Sequence, residues 1–263
     1  MQLKAFFFCG MIAGWFGVTA LFGADPLVYA GPNPPFNFRD KGEVQGLGID
    51  LLNVSLSSLR PKLSQEEIKL DVWKDVYAGA LAHPSSFLIS TARLKEREAL
   101  FQWIGPLATV KLGFIAKKTT TLPKGNLNQI STKLKIATIK ETAAERMLLQ
   151  MLGSDANVSI IRLSTPLQGY KMLEYGRIDA LVYTDIPFVY HLVSEAQDPN
   201  QYHMMYLLEE SYYYIAAGKD VPKSQITIMQ TQLDRLKEKD SSGTSAYERI
   251  MKTYLKGAVL QGP

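Results

Sequence analysis

Cysteine is almost absent from this sequence, which contains a single one, Cys9, within an apolar N-terminal stretch. Residues 10–263 therefore offer no thiol for a disulfide, a metal site or a covalent intermediate. A chain of 263 residues buries enough apolar surface to be stable without cross-links. The scarcity of cysteine thus excludes a disulfide scaffold and cysteine-based catalysis.

Two further absences narrow the function. The net charge is only +4 and no block of Lys and Arg occurs, which excludes the basic surface typical of a nucleic-acid-binding protein. The histidines at positions 83, 191 and 203 lack metal-ligand spacing, and no serine lies in a Gly-x-Ser-x-Gly elbow. We therefore expect no metal, no cofactor, no nucleic-acid partner and no enzymatic activity.

The first two dozen residues differ from the rest in composition. Lys4 is the only charged side chain before Asp25, and positions 5–22 are apolar or small. A basic start, an apolar middle and small residues at the exit are typical of a secretory signal peptide. We expect residues 1–24 to be a signal peptide, cleaved after Ala20 or Ala24, and the protein to reach the periplasm. The alternative is a membrane-spanning anchor, for which about 20 apolar residues suffice.

Strands and helices alternate in the first part of the sequence. Apolar runs bounded by turn formers predict strands, and apolar residues at helical spacing predict amphipathic helices. In chain order these are strand 26–30, hairpin 41–48, helix 49–59, strand 68–72, helix 73–82 and strand 87–89. This alternation predicts an α/β fold with a mostly parallel sheet, in which ligands bind beyond the carboxyl ends of the strands.

A second α/β part follows a break at residues 105–107. Its predicted strands are 109–117, 135–139, 158–163, 176–183 and 203–208, and its predicted helices are 128–133, 143–152, 166–175 and 187–194. Strand 212–217 then returns to the first part, which helices 225–239 and 246–255 complete. The chain is therefore predicted to cross between the two parts near Ala108 and near Ser211.

The stretch from Ser86 to Leu107 has the clearest chemical character. An apolar strand gives way to a strongly charged turn with Arg93 and Arg97, followed by Trp103 and a Gly-Pro break. Residues four apart lie on one face of a helix, so the two guanidinium groups are predicted to project together. A planar guanidinium at the end of a strand is suited to bind a small carboxylate through two parallel hydrogen bonds.

This stretch resembles the carboxylate-binding segment of the bacterial extracellular solute-binding proteins for polar amino acids, which supply ABC importers. Two further motifs match that family, Gly-x-x-x-Asp-Leu at residues 46–51 and Gly-Arg-x-Asp-Ala at residues 176–180. The resemblance implies a two-lobed periplasmic-binding fold of type II, with a mostly parallel sheet and flanking helices in each lobe and two hinge crossovers. Lobe 1 would comprise residues 25–108 and 212–263, and lobe 2 residues 109–211.

The resemblance also implies roles for individual residues. Arg97 falls on the family's carboxylate-gripping arginine. Thr142 falls where the other side of the carboxylate is held at a helix start, whose free N–H groups attract anions. Asp185 lies next to the acidic position that pairs with a ligand ammonium group, although strict counting places Thr184 there. The further ligand-binding candidates are Ser90, Ala92, Trp73, Tyr77, Asn33 and Arg93.

Four positions depart from the family pattern. Gly31 and Asn33 stand where an acidic and an aromatic residue are usual, and Leu94 replaces a threonine. Glu141 replaces a glycine beside Thr142. Because these positions contact the ligand in the family, the identity of the ligand does not follow from the sequence.

Structural roles are the alternatives for the charged candidates. Arg97 could pair with Glu96 or Glu98 at the surface, a contact that contributes about 0–1 kcal/mol. Arg93 could lie on a solvated helix face, and Asp185 could cap the helix that follows it.

Structural roles are also open for the other candidates. Thr142 is predicted to cap a helix, with Glu145 completing a capping box. Trp73, Tyr77 and Trp103 could fill the core, as aromatic residues at helical spacing usually do.

The sequence therefore predicts an exported, monomeric protein that captures a small carboxylate-bearing solute, an amino acid, between two lobes for the membrane subunits of an ABC importer. Two alternatives stay open. The same architecture also hosts exported dehydratases of prephenate-like substrates, for which Glu141 and Asp185 are the acid or base candidates. The other alternative is a ligand-sensing module that reports to a membrane partner.

Overall fold

The predicted strands and helices have counterparts in the structure, a computed structural model that describes residues 28–153 and 158–262. The predicted signal peptide, residues 1–24, lies outside the described residues. The strands β1–β10 are Val28–Ala30, Phe38–Asp40, Glu43–Gln45, Ile68–Leu70, Phe87–Ala92, Gln102–Lys117, Ile136–Ile139, Ile160–Leu163, Ala180–Thr184 and Tyr202–Ala217. The helices α1–α8 are Leu47–Leu56, Trp73–Ala82, Leu127–Lys133, Ala143–Leu152, Pro166–Glu174, Asp185–Ser194, Lys223–Lys237 and Ala246–Leu255. Two 3-10 turns span Lys95–Arg97 and Pro199–Gln201.

One sheet contains eight of these strands in the order β4-β1-β5-β10-β6-β9-β7-β8. β1 pairs in parallel with β4 and β5, which we call the first parallel region. β7 pairs in parallel with β8 and β9, which we call the second parallel region. Between them, β6 and β10 pair antiparallel with each other. β6 also pairs antiparallel with β9, and β10 pairs antiparallel with β5. The sheet therefore has the mostly parallel α/β character that the sequence predicts.

The central strands β6 and β10 are each 16 residues long and pair along their whole length. The predicted start of a new strand at residue 109 is therefore wrong, because β6 begins at Gln102. The predicted strands 203–208 and 212–217 are likewise one strand, β10. Each strand passes without interruption from one parallel region to the other. The two strands that connect the parallel regions, β6 and β10, thus form one antiparallel ladder.

A bulge explains why the Gly-Pro sequence does not end β6. The pairing advances from Ile104 opposite Ile215 directly to Ala108 opposite Tyr213, so β6 carries extra residues at this point. Pro106, which has no N–H to donate, lies among these extra residues and costs the ladder no hydrogen bond.

The helices cover the sheet and bury its apolar side chains. α1 and α2 pack against β5, α2 also packs against β1, and α4 and α5 pack against β7 and β9. The core contains fully buried aromatic side chains from both regions, namely Phe36, Phe87, Phe114 and Phe188. Among the described helices, none is long and apolar enough to cross a lipid bilayer.

Candidate functional site

The carboxyl ends of strands from both parallel regions meet beside the middle of β6 and β10. β5 ends at Ala92, which pairs with Tyr213 of β10, and Tyr213 also pairs with Ala108 of β6. β9 ends at Thr184, which pairs with Leu112 of β6. Since ligands of α/β sheets bind beyond the carboxyl ends of parallel strands, this is the candidate site.

Arg97 lies in the 3-10 turn that follows β5 and is half-buried. Its guanidinium carbon lies 5.2 Å from the ring centroids of both Trp73 and Tyr77, in the first part of α2. Its Nη1 donates to the carbonyl oxygen of Ala92 at 3.2 Å. Within residues 28–153 and 158–262 no carboxylate pairs with Arg97, so the alternative of a surface ion pair is wrong. The remaining N–H donors of this guanidinium can therefore bind an external anion.

Arg93 has a different environment from Arg97. Its Nε and Nη2 donate to the two carboxylate oxygens of Glu98 at 2.8 and 2.5 Å, and this pairing raises the pKa of Arg93. The guanidinium lies 5.7 Å from the ring of Trp103 and 5.5 Å from that of Tyr214. The prediction that both arginines share one helical face is therefore wrong, because only a short 3-10 turn forms and each arginine stacks on its own pair of rings.

The aromatic candidates form a row of rings on one side of the first parallel region. Ring centroids are 5.6 Å apart for Trp73 and Tyr77, 6.0 Å for Tyr77 and Phe101, 5.9 Å for Phe101 and Trp103, and 6.0 Å for Trp103 and Tyr214. These separations are typical of interacting aromatic pairs. Trp73, 38% exposed, ends the row. The row therefore supports Arg97 at one end and Arg93 at the other.

The side-chain hydroxyl of Ser90 forms a hydrogen bond within the protein. The residue is buried and has a left-handed backbone, with φ of +53°, which is uncommon for a residue other than glycine. Its hydroxyl donates to Oδ1 of Asn37 at 2.9 Å, and Nδ2 of Asn37 donates to the carbonyl oxygen of Gly31 at 3.2 Å. These two bonds attach the loop after β1 to β5, so the Ser90 hydroxyl hydrogen is not available to a ligand.

Thr142 is the N-cap of α4, as predicted. Its Oγ1 accepts a hydrogen bond from the amide of Glu145 at 3.2 Å and donates to the carbonyl oxygen of Ile139 at 2.8 Å. In a capping box the Glu145 side chain would accept from the amide of Thr142. Here the Glu145 carboxylate accepts instead from the amide of Glu141 at 2.7 Å. The hydroxyl of Thr142 therefore has two partners within the protein.

Glu145 is a buried carboxylate beneath the start of α4. Arg162 donates to it from Nε at 2.6 Å and from Nη2 at 3.1 Å, and these bonds hold the pKa of Glu145 below its usual value. Glu141 has a left-handed backbone, with φ of +64°, where glycine is the usual residue. The Glu145 carboxylate thus fixes a strained turn at the edge of the candidate site.

Asp185 is the first residue of α6. Its Oδ1 accepts from the amide of Lys111 at 3.0 Å and from the amide of Ile186 at 2.7 Å. Burial raises the pKa of Asp185. Thr184 is the N-cap of α6 but makes no side-chain cap bond. Asp185 therefore attaches α6 to β6, and the helix begins two residues earlier than predicted.

Tyr213, opposite Ala92 and Ala108, lies beside the candidate site, and the sequence analysis did not predict this position. Its ring packs edge-on against Phe36, with ring centroids 4.9 Å apart. Burial raises the pKa of Tyr213, so the phenol stays protonated near neutral pH. The only signal in the sequence is three successive tyrosines at 212–214, of which the middle one must face the opposite side of the strand.

The structure brings these candidates to the middle of the sheet in separate groups. Arg97, Ala92, Trp73 and Tyr77 lie together beyond β5. Asp185, at the start of α6, bonds to the amide of Lys111 in β6, and Asn33 pairs with Asn37 in the loop after β1. No hydrogen bond or ion pair among the described residues joins Arg97 to Thr142. In the part of the chain that the structure describes, no group of three His, Cys, Asp or Glu side chains could hold a metal ion.

No protein-family model and no curated protein matches this sequence. Solved structures do match it. Substrate-binding domain 2 of Lactococcus lactis GlnP, in an open conformation, is 17% identical, with a TM-score of 0.64, over 91% of this chain and 99% of that domain. An ancestral arginine-binding protein bound to arginine is 17% identical, with a TM-score of 0.61, over 87% of this chain and 97% of that protein. The chain has the type II periplasmic-binding fold.

A sensor domain has this periplasmic-binding fold as well. The sensor domain of a histidine kinase with similarity to periplasmic binding proteins is 17% identical, with a TM-score of 0.64, over 90% of this chain and 97% of that domain. The predicted resemblance to amino-acid-binding proteins of ABC importers is confirmed at the level of the fold. The lobe boundaries and the individual site residues stay predictions.

Proposed function

We propose that this chain is an exported solute-binding protein that captures a small carboxylate-bearing solute, an amino acid, between two lobes. Lobe 1 comprises residues 25–108 and 212–263, and lobe 2 comprises residues 109–211. The predicted signal peptide delivers the protein to the periplasm, and the partners are the membrane subunits of an ABC importer. The support for this proposal is the fold, together with the geometry at the strand ends.

The observation that carries the proposal is the environment of Arg97. A half-buried guanidinium with no carboxylate partner in the described residues has N–H donors available for an anion. The rings of Trp73 and Tyr77 hold its plane, so little side-chain freedom is lost when a ligand binds. A ligand carboxylate that accepts two parallel hydrogen bonds from this guanidinium makes use of both features.

The second lobe contributes after the first has bound the ligand. The amide groups at the start of α4 and the carboxylate of Asp185 belong to the proposed lobe 2, whereas Arg97 belongs to the proposed lobe 1. Rotation of the lobes about β6 and β10 would bring these groups onto the ligand, a hinge closure. Contacts that only the closed form makes would drive this rotation.

A sensor role is the second candidate, and the likeness to the histidine kinase sensor domain favours it. A sensor of this kind would keep the apolar N-terminal segment as a membrane anchor, whereas a transport protein would lose it. Mass spectrometry of the protein expressed from the full sequence in a bacterial host separates the two. Cleavage after Ala20 or Ala24 supports the transport protein, and an intact N-terminus in the membrane fraction supports the sensor.

The experiment for ligand binding starts with a thermal-shift screen of the twenty standard amino acids and small carboxylic acids. A ligand present at about 100 times its dissociation constant stabilises the fold by about 2.7 kcal/mol. Calorimetric titration of Arg97→Ala and Arg93→Ala with the bound compound then tests the site. We expect Arg97→Ala to weaken binding by about 1.5–3 kcal/mol and Arg93→Ala to retain the affinity.

Arg93→Ala is the matched control because it removes the same side chain four residues away, where Glu98 already satisfies it. Equal affinity of Arg97→Ala and the unmodified protein would contradict the proposed site. A screen in which no compound raises the melting temperature would contradict solute capture itself. Turnover of prephenate or arogenate by the purified protein would instead support the dehydratase alternative.

A further inference from the structure

The two parallel regions also touch outside the central ladder, at the hairpin formed by β2 and β3. The ring of Phe38 contacts Tyr190 of α6 and Tyr254 of α8, with ring centroids 5.5 and 6.5 Å apart. The hairpin is attached to the first parallel region, because the backbone of Val44 and the side chain of Gln65, just before β4, exchange hydrogen bonds of 2.6 and 3.1 Å. Phe38 therefore connects the first parallel region with the helix that follows β9.

Helix α8 lies against elements of both regions. It packs on α1 and α7, and also on α6. α1 packs against β5 of the first region, whereas α6 begins directly after β9 of the second. The hydroxyl of Tyr254 donates to Oδ2 of Asp50 in α1 at 2.6 Å. α8 is thus bonded to the first region while it packs against a helix of the second.

The segment after α8, residues 256–262, reaches the second region. The amide of Met204, near the start of β10, donates to the carbonyl oxygen of Gln261 at 2.9 Å. His203 and Gln261 form an isolated parallel bridge. Met204 lies opposite Ile115 of β6, and Ile115 also pairs with β9. The segment is therefore bonded to β10 beside the second parallel region.

The length of this segment limits how far the two regions can separate. Five residues lie between Leu255, the last residue of α8, and Gln261, and an extended chain of this length spans at most about 20 Å. The folded segment is shorter, because Lys256 and Gly257 have left-handed backbones, with φ of +50° and +81°. The amide of Ala258 also donates back to the carbonyl oxygen of Leu255 at 2.8 Å. While the bridge to β10 holds, the start of β10 must stay close to α8.

We propose that Phe38, α8 and residues 256–262 form a clasp that restrains rotation of the two proposed lobes when no ligand is bound. Phe38 and α8 belong to the proposed lobe 1, and their partners α6 and the start of β10 belong to the proposed lobe 2. The clasp lies outside the β6–β10 ladder, so it resists changes of lobe angle that the ladder alone permits.

The clasp favours ligand capture by limiting the angles that the free protein samples. A protein that is already restrained loses less conformational freedom when it closes on a ligand. A larger fraction of its molecules then has the angle that binds, which raises the apparent affinity. This part of the inference rests on the proposed function, whereas the restraint itself does not.

Distance measurements between the lobes test the restraint without any ligand. Residues 10–263 contain no cysteine, so a Cys9→Ser protein with Ala82→Cys and Gln150→Cys carries spin labels at these two positions alone. Both positions are exposed, the first at the end of α2 in the proposed lobe 1 and the second in α4 of the proposed lobe 2. Double electron–electron resonance then gives the distribution of distances between the lobes.

Two variants open the clasp at different points, namely Phe38→Ala and a deletion of residues 258–263. We expect each to broaden the distance distribution of the ligand-free protein. The deletion also removes Leu260, which is buried, so Phe38→Ala, at a half-buried position, keeps the test decisive if the shortened chain does not fold. Tyr175→Ala is the matched control, since it removes an exposed ring that contacts Arg177 within the proposed lobe 2. The control should leave the distribution unchanged.

Affinity gives a second readout. For an amino acid found in the thermal-shift screen, we expect both variants to bind roughly threefold or more weakly, because a smaller fraction of the free protein has the angle that binds. Distributions as narrow as that of the unmodified protein in both variants would overturn the clasp. Unchanged or tighter binding would overturn its role in capture. If no amino acid binds, the proposed function fails, and the distances still decide whether the clasp exists.

Discussion

At the scale of single residues, contact partners decide the role of a side chain more than its chemical type does. Arg93 and Arg97 are four positions apart, yet the first is paired with Glu98. Among the described residues, the guanidinium of the second contacts two aromatic rings and a carbonyl oxygen. Planar stacking leaves the edge of a guanidinium free for hydrogen bonds. The unpaired edge of Arg97 is therefore the group that a ligand can use.

The buried carboxylate of Glu145 gives a prediction for stability. We expect Glu145→Gln to lower the free energy of unfolding at pH 7 by about 1.5–3 kcal/mol, because charge-assisted bonds from Arg162 are lost. The pKa of Glu145 is lowered in the folded protein, so its contribution is present above the pKa of the unfolded chain. It is lost as the pH falls through the lowered pKa of the folded state. Urea unfolding at a series of pH values below 7 should show the difference between the two proteins shrink as the pH falls.

Glu98→Gln is the control for this measurement. It also removes a carboxylate paired with an arginine, but Glu98 and Arg93 are exposed, and exposed pairs contribute about 0–1 kcal/mol. A loss as small for Glu145→Gln as for Glu98→Gln would show that the turn at Glu141 is held by other contacts.

At the scale of elements, the side chain and the backbone at the start of α4 have different roles. The hydroxyl of Thr142 already accepts from the amide of Glu145 and donates to the carbonyl oxygen of Ile139. What α4 can offer a ligand is therefore its backbone amides and the positive end of its dipole.

Substitution of Thr142 tests this distinction. We expect Thr142→Ala to destabilise the protein by about 1 kcal/mol, the usual cost of losing an N-cap. Thr142→Ser keeps the capping oxygen and should match the unmodified protein. Thermal unfolding without ligand measures both variants. Equal stability of all three proteins would show that the cap bond contributes nothing.

Most elements could be predicted from the sequence because apolar periodicity sets them. Helices α2, α4 and α8 match their predicted bounds. The continuity of β6 and β10 could not be predicted, because Gly-Pro at residues 105–106 is typical of a strand end unless a bulge accommodates it. The contrasting partners of Arg93 and Arg97, and the place of Tyr213, depend on contacts between distant segments that no local pattern encodes.

At the scale of the whole molecule, shared strands and a direct ring contact join the two parallel regions. Phe38 of β2 lies against Tyr190 of α6, with ring centroids 5.5 Å apart. β6 and β10 form the central ladder, and Asp185 attaches α6 to β6 at Lys111. Groups on the two sides of the candidate site belong to different lobes in the proposed division. A ligand that contacts both sides must therefore change the angle between the lobes or fit the angle that already exists.

Small-angle X-ray scattering tests this closure. We expect the radius of gyration to decrease when a saturating amino acid from the thermal-shift screen is added. Arg97→Ala at the same ligand concentration should keep the value of the ligand-free protein, because it lacks the first contact. A radius that stays constant in the unmodified protein at saturation would contradict hinge closure.

The pairing of β6 with β10 has a consequence for protein engineering. Val110 lies opposite Ser211, so the segment between them leaves and re-enters the rest of the chain at hydrogen-bonded neighbours. A graft that exchanges this whole segment for its equivalent from another protein of the same architecture needs to match only two adjacent strand junctions. The donor segment would bring its own helices, while the recipient would keep Arg97 and the rings of Trp73 and Tyr77 beside it.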